Sequence, residues 1–281
     1  MTYNDSAGHA IYVFFYKDVP LASPSPLYIP VMAGNALQKE ISPYTGDDSG
    51  ENISYKNLYY SELTGIYWVW KNTNHEITGS CHYRRFFTAK PLPFYYRFKN
   101  RLLHPVAGEK SQGLWYISHF KKHRNLILSE EQMLEILDVY DAILPTPRKF
   151  RYSIREHYRR YHQSEDLILV REIIAQYHPD YLTSFDTTMD SYEMYANNMF
   201  ILKRIHFEHF MSWWFDILFK LEKKTNLKHY QGYQKRIFGF MAERLLTVWF
   251  RNQGLRVKEL PVLYFKNLKY DHTRLSKPIN A

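Results

Sequence analysis

Apolar positions along this 281-residue chain alternate between two patterns, short continuous runs and stripes at helical spacing. Ala10-Ile-Tyr-Val-Phe-Phe-Tyr16 is a continuous run rich in aromatic and β-branched residues, which predicts a buried first strand. Ile77–Cys81 predicts a second, Asp141–Pro145 a third, Asn197–Leu202 a fourth entered through two asparagines, and Leu260–Phe265 a strand that closes the sheet. Helical stripes lie between them. Ser54 is placed to cap a helix whose buried face is Tyr59, Leu63, Ile66 and Trp70, with Ile53 and Leu58 as a hydrophobic staple. Ser129 with Gln132, and Ser153 with Glu156, have capping-box spacing, predicting helices over 130–140 and from 154 toward 161. Ser164 opens another over 165–177. Phe207, Phe210, Met211, Trp214, Ile217, Leu218 and Leu221 trace one stripe, and Ile237, Phe240, Met241, Leu245, Val248 and Trp249 another within 234–252. Strands alternating with helices predict an α/β fold as one domain over 1–281, with a central, mostly parallel sheet flanked by helices and a helical carboxyl-terminal half. Prolines 91, 93 and 105 and the run Phe94-Tyr-Tyr-Arg-Phe-Lys-Asn-Arg-Leu-Leu103 interrupt the pattern, so 90–128 reads as a basic aromatic excursion from the core.

Charge narrows the chemistry. The formal charge is +9 and the sequence pI about 9.3, so the field of the molecule attracts anions such as nucleotides, nucleic acid or acidic headgroups. A single cysteine, Cys81, excludes an internal disulfide framework and a cysteine-rich zinc site, as expected of a cytoplasmic protein. Met1–Ser6 lacks a basic segment followed by an apolar run, so no secretory signal is expected, and no stretch reads as a membrane span. Gly-x-Gly-x-x-Gly, the Gly-Lys-Ser/Thr phosphate loop, His-Glu-x-x-His and Gly-x-Ser-x-Gly are all missing. Dinucleotide oxidoreductases, P-loop enzymes, zincins and ordinary serine hydrolases therefore lose ground.

Three places carry candidate chemistry. His82, Arg84 and Arg85 follow a strand pattern, and in open α/β sheets ligands gather beyond the carboxyl ends of strands. Two guanidiniums there suit phosphate oxygens, although pairing with acids of a neighbouring helix is an equally good reading. Arg236, Gly239 and Glu243 share one quadrant of a helix, opposite its apolar stripe, where a missing side chain lets a ligand or another backbone approach. The loop 46–54 holds Asp47, Asp48, Glu51 and Asn52. Its acids either hold a divalent cation against phosphate, bind ribose or sugar hydroxyls, or simply build turns.

The segments Asp47-Asp-Ser-Gly-Glu-Asn-Ile-Ser54, Ser61-Glu-Leu-Thr-Gly-Ile-Tyr-Trp-Val-Trp-Lys71, His82-Tyr-Arg-Arg-Phe86, Asn198-Met-Phe-Ile-Leu202 and Arg236–Leu246, in this order, resemble the bacterial glycosyltransferase-like domain of capsular and exopolysaccharide clusters, long catalogued as a domain of unknown function. The resemblance implies a GT-A-like fold, a nucleotide-sugar donor, UDP-linked as a first expectation, and transfer of a hexose such as galactose or galactofuranose to a lipid-linked or oligosaccharide acceptor in capsule, O-antigen or exopolysaccharide synthesis. GT-A enzymes commonly bind a divalent metal (Mn or Mg) through Asp-x-Asp after a central strand. Here His82-Tyr-Arg-Arg85 stands in that place, so metal use is open and direct neutralisation of the diphosphate by Arg84, Arg85 and Arg236 is the alternative. Glu243 is then the first candidate for catalytic base and Asp166 the second. Asp47, Asp48 and Asn52 are candidates for donor recognition, and Asn197, Asn198 and Gly239 for the acceptor or donor sugar. Phe94–Leu103 would meet the inner face of the plasma membrane, making the protein peripheral there. Two rival readings are a nucleic-acid binding protein, against which the dispersed Lys and Arg argue, and a glycoside hydrolase, which needs two opposed carboxylates.

Overall fold

The computed structural model describes residues 8–23, 25–91, 94, 98, 113–117, 120–266 and 268. Most of the basic aromatic run lies outside them. Where 90–128 is described it rejoins the sheet, through the strand Leu114–Ile117.

One mixed α/β body is built around a mostly parallel sheet. Its strands are β1 (His9–Phe15), β2 (Tyr28–Met32), β3 (Thr45–Gly46), β4 (Ile77–His82), β5 (Arg85–Phe87), β6 (Leu114–Ile117), β7 (Ala142–Pro145), β10 (Phe200–Lys203), β11 (Val257–Leu260) and β12 (Val262–Phe265). The main path runs β11-β7-β10-β4-β1-β2-β3, with β12 joining through β5 and β6. β10 lies antiparallel between β4 and β7, and β1, β2, β3 and β4 run parallel. A separate ribbon pairs β8 (Arg148–Lys149) with β9 (Glu193–Met194).

Both faces of β1 are covered, which is why its sequence is an unbroken apolar run. Ala10, Tyr12 and Phe14 enter one cluster, and Ile11, Val13 and Phe15 the other. The first cluster is packed by α2 (Leu63–Asn72), α6 (Glu165–Tyr177), α7 (Leu182–Asp190), α8 (Arg204–Lys224) and α9 (Ile237–Gln253). The second is covered by α4 (Glu130–Val139). Two short helices, α1 (Asn57–Tyr60) and α3 (Phe120–His123), and the charged α5 (Ile154–Tyr161) complete the set.

The predicted caps at Ser129 and Ser153 form: each hydroxyl accepts the amide hydrogen bond three residues on. The helix predicted from Ser54 is different. Ser54 gives its hydroxyl to the buried Asp47 carboxylate and accepts from the Ala36 amide, Leu58 is half exposed with no staple, and the chain breaks at Ser61 before α2 begins. A buried carboxylate offers Ser54 a stronger partner than a helix amide does.

Candidate active site

A cleft of about 920 Å³ opens along the carboxyl edge of β1, β2 and β4. It is floored by Phe14, Phe15 and Tyr16 at the end of β1 and by His82–Arg85 at the end of β4, and walled by Ser61 and Glu62 and by one face of α9. This is where an open α/β sheet leaves room for a ligand.

Two of its wall residues and one directly behind them hold unusual backbone. Ser61 (φ 53°), Asn197 (φ 75°) and Asn198 (φ 49°) are the positive-φ residues other than glycine among the described residues. Such conformations cost about 1–3 kcal/mol each and persist where the surroundings over-determine them. At Ser61 the break turns Glu62 into the cleft, and the Ser61 hydroxyl accepts from Arg236 Nε at 2.8 Å. The Asn197–Asn198 turn points one carbonyl and one amide at the same place. Asn198 Nδ2 donates to Glu62 Oε1 at 2.8 Å, and the Asn197 carbonyl meets His82 Nε2 at 2.5 Å. A carbonyl only accepts, so Nε2 of His82 carries the ring proton.

Burial pushes the His82 imidazole down to about 4, with Arg85 and Arg236 acting in the same sense, so the ring is neutral near pH 7. Burial works to raise the Glu62 carboxyl, but the facing His82 and Arg236 and the Asn198 amide outweigh it and hold the group below its ordinary range. Glu62 is thus an ionised carboxylate fixed on two sides, with Arg236 Nη2 3.5 Å away.

The cations are the decisive feature. Among the described residues neither Arg84, Arg85 nor Arg148 has a carboxylate within 4.0 Å. Arg84 instead lies 4.9 Å over the Tyr83 ring and 5.0 Å over Tyr264, and Arg85 Nε is buried with no partner. The pairing with neighbouring acids that their sequence also allowed is therefore not what holds them. Opposite stands Glu243, half-buried, whose Oε1 accepts the Asn197 amide at 2.7 Å. The donor set at the end of β4 consists of guanidiniums and an imidazole, which supply no oxygen ligand, and among the described residues no group of three His, Cys, Asp or Glu side chains could hold a metal.

Of the residues singled out in the sequence, His82, Arg84, Arg85, Asn197, Arg236, Gly239 and Glu243 line the cleft. Asn198 is buried directly behind, bonded to Glu62 and to the Gly239 carbonyl. At Gly239 the close neighbour is another chain segment: a Cβ there would stand 3.6 Å from Ser61 Oγ. The acidic loop is not brought in. Asp47 is fully buried and accepts from the Gly34 and Asn35 amides and the Ser54 hydroxyl, Asp48 accepts from the Asn35 side chain, and Asn52 bonds within its own turn. Their polar atoms build the loop. Asp166 is likewise buried away from the cleft, accepting from Tyr158 at 2.8 Å and from Tyr230. Glu62, Arg148 and Arg244 are cleft residues that sequence reasoning did not single out, and His157 and His162, whose spacing reads as a plain surface pair, also line the cleft. Helical periodicity reads Glu62 as one more polar helix position, and only the break at Ser61 turns it inward.

Residues 10–254 match the family described as a domain of unknown function, DUF4422. The chain belongs to the DUF4422 family. The match spans the whole cleft, from the end of β1 to α9. Among solved structures, the apo form of WbbM, a bifunctional glycosyltransferase, is similar to this DUF4422 chain with a TM-score of 0.81 at 27% identity. The similarity covers 94% of this chain and 46% of that one, so the DUF4422 chain spans less than half the length of WbbM. No curated protein matches it.

Proposed function

We propose that this protein is a glycosyltransferase of GT-A-like fold that moves a hexose from a nucleotide-diphosphate sugar to a hydroxyl of a lipid-linked or oligosaccharide acceptor. The observation that carries this is the set of cleft arginines without carboxylate partners among the described residues, together with a hydrogen-bonded glutamate lining the same cleft. The similarity to WbbM supports it.

The reaction breaks the bond between the anomeric carbon and the diphosphate oxygen and forms one to the acceptor oxygen. Charge develops on the leaving diphosphate, and cations already positioned where that charge develops stabilise it. Arg84, Arg85 and Arg236 are the residues for that role, with neutral His82 holding the Asn197 turn through its Nε2 proton. The acceptor hydroxyl loses its proton to Glu243, whose carboxylate is oriented by the Asn197 amide, as an inverting transfer requires. Glu62 positions Arg236 and Asn198. No step is routed through a metal, because the donor set at the end of β4 does not suit one.

A uridine diphosphate donor carrying galactose or galactofuranose is the first candidate, and polysaccharide assembly at the inner membrane face the setting. Among the described residues no helix is long and apolar enough to cross a membrane. Phe94 and Phe98 are exposed with ring centroids 6.4 Å apart, as expected of a surface that meets lipid. A thermal-shift panel of nucleoside diphosphates and sugar nucleotides, with and without manganese, tests the reading. A ligand at about 100 times its Kd stabilises the native state by about 2.7 kcal/mol, so the right donor raises Tm clearly. If no diphosphate nucleotide raises it, the transferase assignment fails.

A further inference from the structure

The cleft lining holds a second group of cationic side chains. The charges acting on His82 come from Glu62, Arg85 and Arg236, whereas those acting on His157 come from Arg244, His162 and Arg148. The two sets share no residue. The second wall is made by Arg148 at the start of β8, His157 on α5 and Arg244 on α9.

Arg244 is 2% exposed, and its Nε has no partner. Nη1 donates to the Phe240 carbonyl at 2.6 Å, and the guanidinium lies 4.8 Å over the Tyr158 ring. Its carboxylate neighbour, Glu243, is 3.8 Å off and already holds the Asn197 amide. Arg148, half-buried beside it, has no carboxylate partner among the described residues, and His157 Nδ1 is also buried and unbonded. A buried guanidinium with unsatisfied donors is costly unless an anion meets it. A flat fork backed by an aromatic ring is the arrangement that receives a carboxylate or phosphate.

Resting on the transferase reading, the position of this wall says which substrate it serves. A hydroxyl that reaches Glu243 brings the body of the acceptor onto the neighbouring surface, because Glu243 and Arg244 are consecutive on α9. We propose that the acceptor carries an oxyanion, a sugar carboxylate or a phosphate, and that Arg148 and Arg244, with His157, form the subsite that reads it. Arg148 and Arg244 are then specificity residues for the acceptor, separate from the donor-diphosphate arginines.

The test is calorimetric binding of three sugars, methyl glucuronide, glucose 6-phosphate and methyl glucoside, at low salt, with UDP titrated in parallel. Wild type, Arg148→Gln and Arg148→Lys are compared, with circular dichroism as the check on folding. At least one acidic sugar is expected to bind about tenfold or more tightly than the glucoside, as charge-assisted hydrogen bonds allow. The tighter of the two identifies the anion's source. Arg148→Gln should abolish the preference and Arg148→Lys keep most of it, with UDP affinity the same in all three proteins. Equal binding of the three sugars, no saturable binding of either acid, or a preference that survives Arg148→Gln overturns the subsite. Should UDP alone fail to bind while the acidic sugars keep their preference, the oxyanion site stands and the transferase reading falls.

Discussion

Lowering the pH should destabilise this fold well before its carboxylates titrate. Burial pushes the imidazoles of His82, His157 and His162 down to about 4, against an ordinary value of 6.5. Between these values the unfolded chain binds protons that the folded chain does not. Stability is therefore fully present above about pH 6.5 and is lost as pH falls toward 4. For one such group the loss between pH 7 and pH 5 is about 1.8 kcal/mol, and about 5.5 kcal/mol for three acting fully. His157 and His162 stand on a cleft wall that water reaches, which reduces their share, so the expected loss is roughly 2–3 kcal/mol. His75 and His206, also held low by burial, act in the same direction. Glu156, held at about 2 by its bonds to Arg159 and Arg160, contributes only below this window. Urea unfolding at intervals from pH 7.5 to 5 reads the effect as a falling midpoint at constant slope. His157→Asn should flatten the profile by up to one group's share. A midpoint that stays level or rises on acidification would refute the reasoning, since it would mean that the cleft histidines are protonated in the folded protein.

Replacing Arg84 and Arg85 together by alanine should abolish transfer, and UDP should no longer raise Tm, while the unliganded Tm stays close to wild type because no ion pair among the described residues is lost; normal turnover in a folded double variant removes both from the mechanism. Glu243→Gln should keep donor binding and lower kcat at least about 100-fold, the scale of a lost general base; unchanged kcat rejects it. Asp166→Leu should do the converse, leaving two buried tyrosine hydroxyls unpaired at about 1–3 kcal/mol each, seen as a fall in Tm. Gly65→Ala should lower Tm because its methyl would lie 2.5 Å from the Phe14 ring, whereas Gly239→Ala, with 3.6 Å to its nearest neighbour, should not.

By itself the chain determined its elements wherever burial is a local pattern: the unbroken apolar run of β1, the stripes of α8 and α9, and the helix caps at Ser129 and Ser153. These depend on residues a few positions apart, so periodicity and cap chemistry suffice. The cationic strand end at His82–Arg85 was legible for the same reason, as was the face that joins Arg236, Gly239 and Glu243. Tertiary structure alone decided what those groups meet. Asp47 and Asp166 carry the residue type of a donor or base site, yet partners 7 to 64 residues away bury them as structural acceptors. Glu62 reads as an ordinary helix position until Arg236, 174 residues on, and Asn198, 136 residues on, fix it at the cleft. A carboxylate's role is set by whether its neighbours satisfy it or leave it open to a ligand, and those neighbours are chosen by the packing of distant segments.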